Sequence, residues 1–86
     1  MNLIITNRAK KDLAKLDRET AKSVTETLRR FQNDPNLVDL VKLKGFNDKW
    51  RIRVGVYRVI MRVEGTFVTV YALRVLHRRE AYTING

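Results

Sequence analysis

The sequence predicts a two-layer α+β domain in which an N-terminal strand and a helical hairpin pack on an antiparallel sheet. Three observations lead there. Apolar residues recur with a helical period between residues 9 and 31, and with a period of two from residue 50 onward. The 86 residues, 44% of them hydrophobic, are enough for one small core and too few for a second. Residues 1–86 are therefore expected to form a single domain.

Asn2 to Thr6 reads as a short apolar strand, with Thr6 or Asn7 able to cap the helix that follows. Ala9, Leu13 and Leu16 fall on one helical face, and Lys10, Lys11, Asp12 and Lys15 are expected outside it. Asp17 can close this helix and cap the next, whose stripe is Ala21, Val24, Leu28 and Phe31. Asn33, Asp34 and Pro35 stop it. The period then changes. Leu37 to Lys44 holds a short alternating piece, and Gly45 with Asn47-Asp48 breaks it. Trp50, Ile52 and Val54 alternate with Arg51 and Arg53. After Gly55, Tyr57, Val59, Met61 and Val63 alternate with Arg58, Ile60 and Arg62. Gly65 supplies the positive φ for a turn after Glu64. The last strand is expected from Thr66 to about Val75, with Phe67, Thr69, Tyr71 and Leu73 on one face and Val68, Val70 and Ala72 on the other. Two partly buried faces suit a central strand.

Composition narrows the function. The chain has 18 Lys plus Arg against 9 Asp plus Glu, a formal net charge of +9, which points to a polyanionic partner. The excess is uneven. Residues 1–43 hold nine basic and six acidic residues, net +3, whereas residues 44–86 hold nine and three, net +6. Seven of the latter nine cations are arginine, whose planar fork matches phosphate oxygens. Without cysteine there are no disulfides or thiolate ligands, and the apolar run Leu3-Ile4-Ile5 is far too short for a signal peptide or a membrane span. A cytoplasmic protein with no membrane association is expected.

Arg51 and Arg53, two residues apart on a strand, leave the same face, opposite to Trp50, Ile52 and Val54. Arg58 follows across a hairpin and can approach them, and Arg78 and Arg79 come after the last strand. Converging guanidinium groups suit phosphodiester cleavage, because they stabilise the charge that grows on phosphate oxygens in the transition state. The alternative reading of Arg51, Arg53, Arg58 and Arg62 is a solvated face or a surface for a protein partner. RNA cleavage also needs a base for the 2′-hydroxyl proton and an acid for the leaving 5′-oxygen. His77, the only histidine, can titrate near neutrality, and Tyr82 can donate a proton or orient the phosphate. Their alternatives are a surface or base-stacking histidine and a packing tyrosine. Phe46, Trp50 and Tyr57 can stack on bases, although the strand parity of Trp50 and Tyr57 assigns them to the core. No His/Asp/Glu cluster has metal-ligand spacing and no glycine-rich phosphate loop is present, so neither cofactor nor metal is expected.

Lys42-Leu43-Lys44-Gly45, Trp50-Arg51-Ile52-Arg53-Val54-Gly55, Tyr57-Arg58-Val59 and Val75-Leu76-His77-Arg78-Arg79-Glu80-Ala81-Tyr82 stand in the order and spacing of the RelE/ParE toxin superfamily, which the chain resembles over most of its length. Resemblance to the RelE branch implies a microbial-ribonuclease-like fold. It also implies metal-independent cleavage of mRNA in the ribosomal A site, which inhibits translation, and a cognate RelB-type antitoxin. By position, Arg51 and Arg53 match the basic pair of that branch, Arg58 its phosphate-contacting arginine, Arg78 the arginine after the last strand and Tyr82 the terminal tyrosine. Lys42, Lys44, Arg62, Arg74 and Arg79 then form a basic surface for RNA. The sequence also departs from the pattern. Well-known RelE members have lysines where Arg51 and Arg53 stand, and arginine does not deprotonate to act as a base. Other relatives place a glutamate where Val41 and Lys42 stand, which leaves His77 as the first candidate base, with ribosomal RNA groups completing the site. A chain ending at Gly86 is expected to have no room for the C-terminal helix of longer relatives. Two alternatives remain: a ParE-type inhibitor of DNA gyrase, which Leu76-His77-Arg78-Arg79 also resembles, and a nucleic-acid-binding module without catalysis.

Overall fold

The computed structural model describes residues 1–66 and 68–85, the stretch 82–85 by its backbone alone. Phe67 lies outside the described residues, as does the side chain of Tyr82. The elements are β1 (Asn2–Ile5), α1 (Asn7–Ala14), α2 (Arg18–Asn33), a 3-10 turn (Pro35–Leu37), β2 (Asp39–Lys42), β3 (Lys49–Val54), β4 (Tyr57–Glu64), β5 (Thr69–His77) and α3 (Arg78–Asn85). The five strands form one sheet in the order β1-β5-β4-β3-β2, with α1 and α2 packed on one face. No helix among the described residues is long and apolar enough to cross a membrane.

Local signals set the helix limits. Thr6 caps α1, its hydroxyl oxygen accepting from the Ala9 N–H at 3.2 Å, and Asp17 caps α2 by accepting from the Thr20 N–H. Asp34 ends α2 and caps the 3-10 turn. The expected stripes meet the sheet: Ala9, Val24, Leu28 and Phe31 are buried together with Ile52, Val59, Met61, Val63, Val70, Ala72 and Val75. Trp50 and Tyr57 pack against this core, as their parity predicts. Gly55, at φ +59°, turns the chain from β3 into β4, and Gly65, at φ +66°, turns it from β4 toward β5.

Four sequence expectations need correction. The first strand pairs with the last in parallel, Asn2 beside Thr69 and Ile5 beside Ala72, so the sheet is not wholly antiparallel, while β5 is flanked on both sides as its two apolar faces led one to expect. The last strand starts at Thr69 rather than Thr66 and reaches His77. A C-terminal helix does form, because α3 needs only eight residues. Asp12 is buried, not solvated. It lies three residues after Ala9 and four before Leu16, so the helical period itself points it at the sheet.

The burial of Asp12 follows from what β1 leaves unfinished. Opposite Ile60 and Met61, β5 gains one residue, Leu73, and its register shifts. Here β1 ends. The Thr6 N–H donates to the Ala72 carbonyl at 3.1 Å and the Thr6 hydroxyl to the Leu73 carbonyl at 3.1 Å. Beyond that point Asp12 takes the place of a strand: its Oδ2 accepts from the Val75 N–H at 2.9 Å and from Arg74 Nε at 2.8 Å, and its Oδ1 from Arg74 Nη2 at 3.2 Å. Burial pushes this carboxyl up, but the hydrogen bonds from Arg74 and Val75, with the charges of Arg74 and Arg8, more than offset it. The net result lies below the ordinary value of 3.8.

Candidate functional site

The face of the sheet turned away from α1 and α2 carries most of the predicted cations, arranged by register in three rows. Asp39, Arg53, Arg58 and Leu76 form the first, and Val41, Arg51, Ile60 and Arg74 the second. Lys49, Arg62, Tyr71 and Ile4 form the third. The α3 helix covers one end of this face, Ala81 clustering with Leu43, Ile60 and Leu76. Arg51, Arg53 and Arg58 thus share a face as their spacing predicts, and Arg53 and Arg58 are direct cross-strand partners.

Their surroundings differ. Arg53 is exposed and its Nε sits 2.6 Å from Asp39 Oδ2, a solvated pair worth at most about 1 kcal/mol that nevertheless places a carboxylate beside the cation. Arg58 is buried at 9% exposure, with Nη1 donating to the carbonyls of Gly55 at 2.9 Å and Tyr57 at 3.0 Å. Arg51 lines a cavity of about 330 Å³ with Val41, Lys42, Leu43 and Lys44. Its Nε is buried and has no hydrogen-bond partner among the described residues. An unmet donor of this kind costs roughly 1–3 kcal/mol, and in a pocket edged by two lysines the group that satisfies it best is an anionic oxygen.

Lys44 and Lys42 both line this cavity, Lys44 from the turn that follows β2. Lys42 pairs with Trp50 in register and its Nζ stands 6.0 Å from the Trp50 ring, on the helix-covered side. Arg62 lies one row away from Arg51. The remaining predictions separate from this group. Arg74 is held by Asp12. His77 pairs with Tyr57 in register, and their rings meet edge to face at 5.6 Å. Since Tyr57 belongs to the helix-covered side, so does His77. There it borders a second cavity, of about 230 Å³, beside Lys15, Tyr57 and Glu80. Its Nδ1 accepts from the Arg79 backbone N–H at 3.2 Å, while the His77 backbone N–H donates to Glu80 Oε1 at 3.1 Å, a reciprocal cap on the start of α3. The sole histidine is therefore engaged as a helix cap and is not brought to the arginine face. Arg78 and Arg79 are exposed at the first turn of α3. Tyr82 lies on α3, with its side chain outside the described residues. Phe46 is exposed, with Lys49 Nζ 5.0 Å from its ring.

Sequence reasoning missed three carboxylates that organise these cations: Asp12 on Arg74, Asp39 on Arg53 and Glu64 on Arg62. Only Glu64 carried a local signal, its two-residue spacing from Arg62 on one strand face. Among the described residues no group of three or more His, Cys, Asp or Glu is placed to hold a metal ion.

Known proteins share this fold and part of this sequence. The family model described as ParE toxin of type II toxin–antitoxin systems matches residues 3–82. Toxin RelE3 of Methanocaldococcus jannaschii is 33% identical over 86 residues, covering 95% of this chain and 96% of the relative. The structure of a RelB–RelE antitoxin–toxin complex from Methanococcus jannaschii superposes with a TM-score of 0.77 at 30% identity, over 92% of this chain and 94% of the other. The RelBE2 toxin–antitoxin complex of Mycobacterium tuberculosis gives 0.75 at 29% identity, over 90% and 96%. The chain belongs to the RelE/ParE superfamily of type II toxin–antitoxin toxins.

Proposed function

We propose that this toxin is a ribosome-dependent endoribonuclease that cuts mRNA in the A site and so inhibits translation in the cytoplasm. We further propose that a RelB-type antitoxin neutralises it, as suggested by relatives solved as RelB–RelE complexes. The observation that carries the nuclease reading is Arg51, whose buried Nε has no partner among the described residues and lies in a basic cavity one row from Arg53 and Arg58. In the proposed reaction the 2′-hydroxyl attacks the adjacent phosphorus, the bond to the 5′-oxygen breaks, and negative charge grows on the non-bridging oxygens. Arg51 donates to those oxygens from a site shielded from water, where a fixed donor is worth more than in solution. Arg58, held by two carbonyls, keeps its guanidinium in one orientation on the next row. Proton transfer is assigned to the bound ribosome rather than to His77, which faces the other layer.

The test is to map mRNA 5′ ends after induced expression. Cuts within codons on ribosomes support the reading. Intact mRNA with broken DNA would instead identify a DNA gyrase inhibitor, the second reading, which the match to the ParE family model favours. A short acidic or amphipathic reading frame beside the gene is expected under both.

A further inference from the structure

The third row of the open face is built differently from a phosphate clamp. Arg62 stands between Lys49 and Tyr71 in register, and Ile4 follows Tyr71 on the edge strand. The Arg62 Cζ lies 4.4 Å from the centroid of the Tyr71 ring, well inside cation–π range. Its Nη1 is bound to Glu64 Oε1 at 2.5 Å. The ring supports one face of the guanidinium and the carboxylate holds its edge, so the plane is fixed while the charge is matched. The Arg62 side chain is still 36% exposed. Ile4, 38% exposed, extends the apolar part of the row.

A guanidinium whose charge is already met by a carboxylate gains little from a phosphate, but a flat, immobilised cation on an aromatic ring is a surface on which a nucleobase stacks. Position supports this. The row lies two residues along β4 from the row of Arg51 and Ile60, a step of roughly 6.6 Å at strand rise. An extended single strand whose phosphate sits at Arg51 brings its neighbouring base over this row. We propose that Arg62 and Tyr71 form a stacking platform for the base of the nucleotide next to the clamped phosphate. Glu64 positions the platform. The identity of the ligand as single-stranded RNA rests on the nuclease reading.

The experiment uses the full chain and a short 2′-O-methyl RNA, which has no free 2′-hydroxyl and stays intact, with 2-aminopurine at successive positions. Stacking quenches its fluorescence. Quenching is expected to peak at one position, and Tyr71→Leu and Arg62→Lys should each remove most of it and weaken binding about tenfold. Because neither variant changes the charge, the salt dependence of binding should stay at the wild-type slope, whereas Arg51→Ala should lower that slope by about one. Arg62→Lys, on an exposed side chain, provides the comparison if Tyr71→Leu disturbs the sheet. Quenching unchanged in both variants overturns the platform, as does a uniform quench at every position. The readout needs no cleavage: a platform that stands while ribosomal mRNA stays uncut removes the nuclease reading alone, and cleavage without position-specific quenching removes the platform alone.

Discussion

The two faces of the sheet draw on the same strands and reach opposite states. On the covered face, β3, β4 and β5 present Ile52, Val59, Met61, Val70 and Ala72, each fully buried beneath α1 and α2. On the open face β3 and β4 present Arg51, Arg53, Arg58 and Arg62, and each of these four meets a different local environment. The covered face is satisfied by contact between like residues, which tolerates exchange among apolar side chains of similar volume. The open face is satisfied pair by pair: Arg53 by Asp39, Arg62 by Glu64 and Tyr71, Arg58 by two carbonyls. At Arg51 this satisfaction stops, with a donor buried and unmet among the described residues. Where a fold keeps an uncompensated cost of this size, function is the expected reason.

This contrast can be broken in stages. The largest effect is expected at Arg51. Arg51→Met should lower ribosome-dependent cleavage by about 100-fold or more, as loss of one transition-state donor does. Because it also removes a buried unmet donor, it should leave the thermal midpoint unchanged or raise it slightly. A large fall in melting temperature would show Arg51 to be structural.

Asp12 comes next and acts on stability. Asp12→Ala strands the Val75 N–H and the Arg74 guanidinium together, and should cost roughly 3 kcal/mol, a fall of more than about 10 °C in melting temperature for a domain of this size. The pH dependence has a fixed sign. The Asp12 carboxyl is lowered in the folded state, so its contribution is complete above the ordinary value of 3.8 and is lost as pH falls through the lower folded value. Denaturant melts between pH 6 and 2 should therefore steepen in wild type, and Asp12→Asn should flatten that acid slope.

Smaller effects sharpen the contrast within the open face. Asp39→Asn frees the exposed Arg53 and should tighten RNA binding a few-fold at low salt, an advantage that fades as salt rises. The smallest effect is expected at His77. His77→Ala should change cleavage by less than about threefold while loosening the start of α3, visible as faster amide exchange at Arg79. A loss of cleavage near 100-fold would return His77 to the reaction and overturn its assignment as a cap.

His77 also shows where local reading of the chain stops. Residue type and periodicity located α1, α2, β3 and β4, a cap at Thr6 or Asn7 and one at Asp17, the stop of α2 at Asn33 to Pro35, and the shared face of Arg51 and Arg53 that Arg58 approaches, because these are properties of neighbouring residues. Strict alternation from Tyr71 would bring His77 to the same face. One extra residue at Leu73 reverses the parity, sending Val75 and His77 to the helix side and Leu76 to the open side. Nothing around Leu73 marks that bulge. It is fixed where β1 ends, by Thr6 and Asp12 more than sixty residues away in the chain.

The amino-acid sequence by itself determined the elements, the cationic character of one face and the family resemblance, since all three are written in short-range spacing and residue type. Only the tertiary structure decided which cations already have partners, that β1 joins the sheet in parallel, and that the sole histidine faces away from the arginines. The parallel pairing and the turning of His77 depend on register, and the partners of Arg53 and Arg74 on carboxylates brought from β2 and α1, and a strand's register is set by what it pairs with.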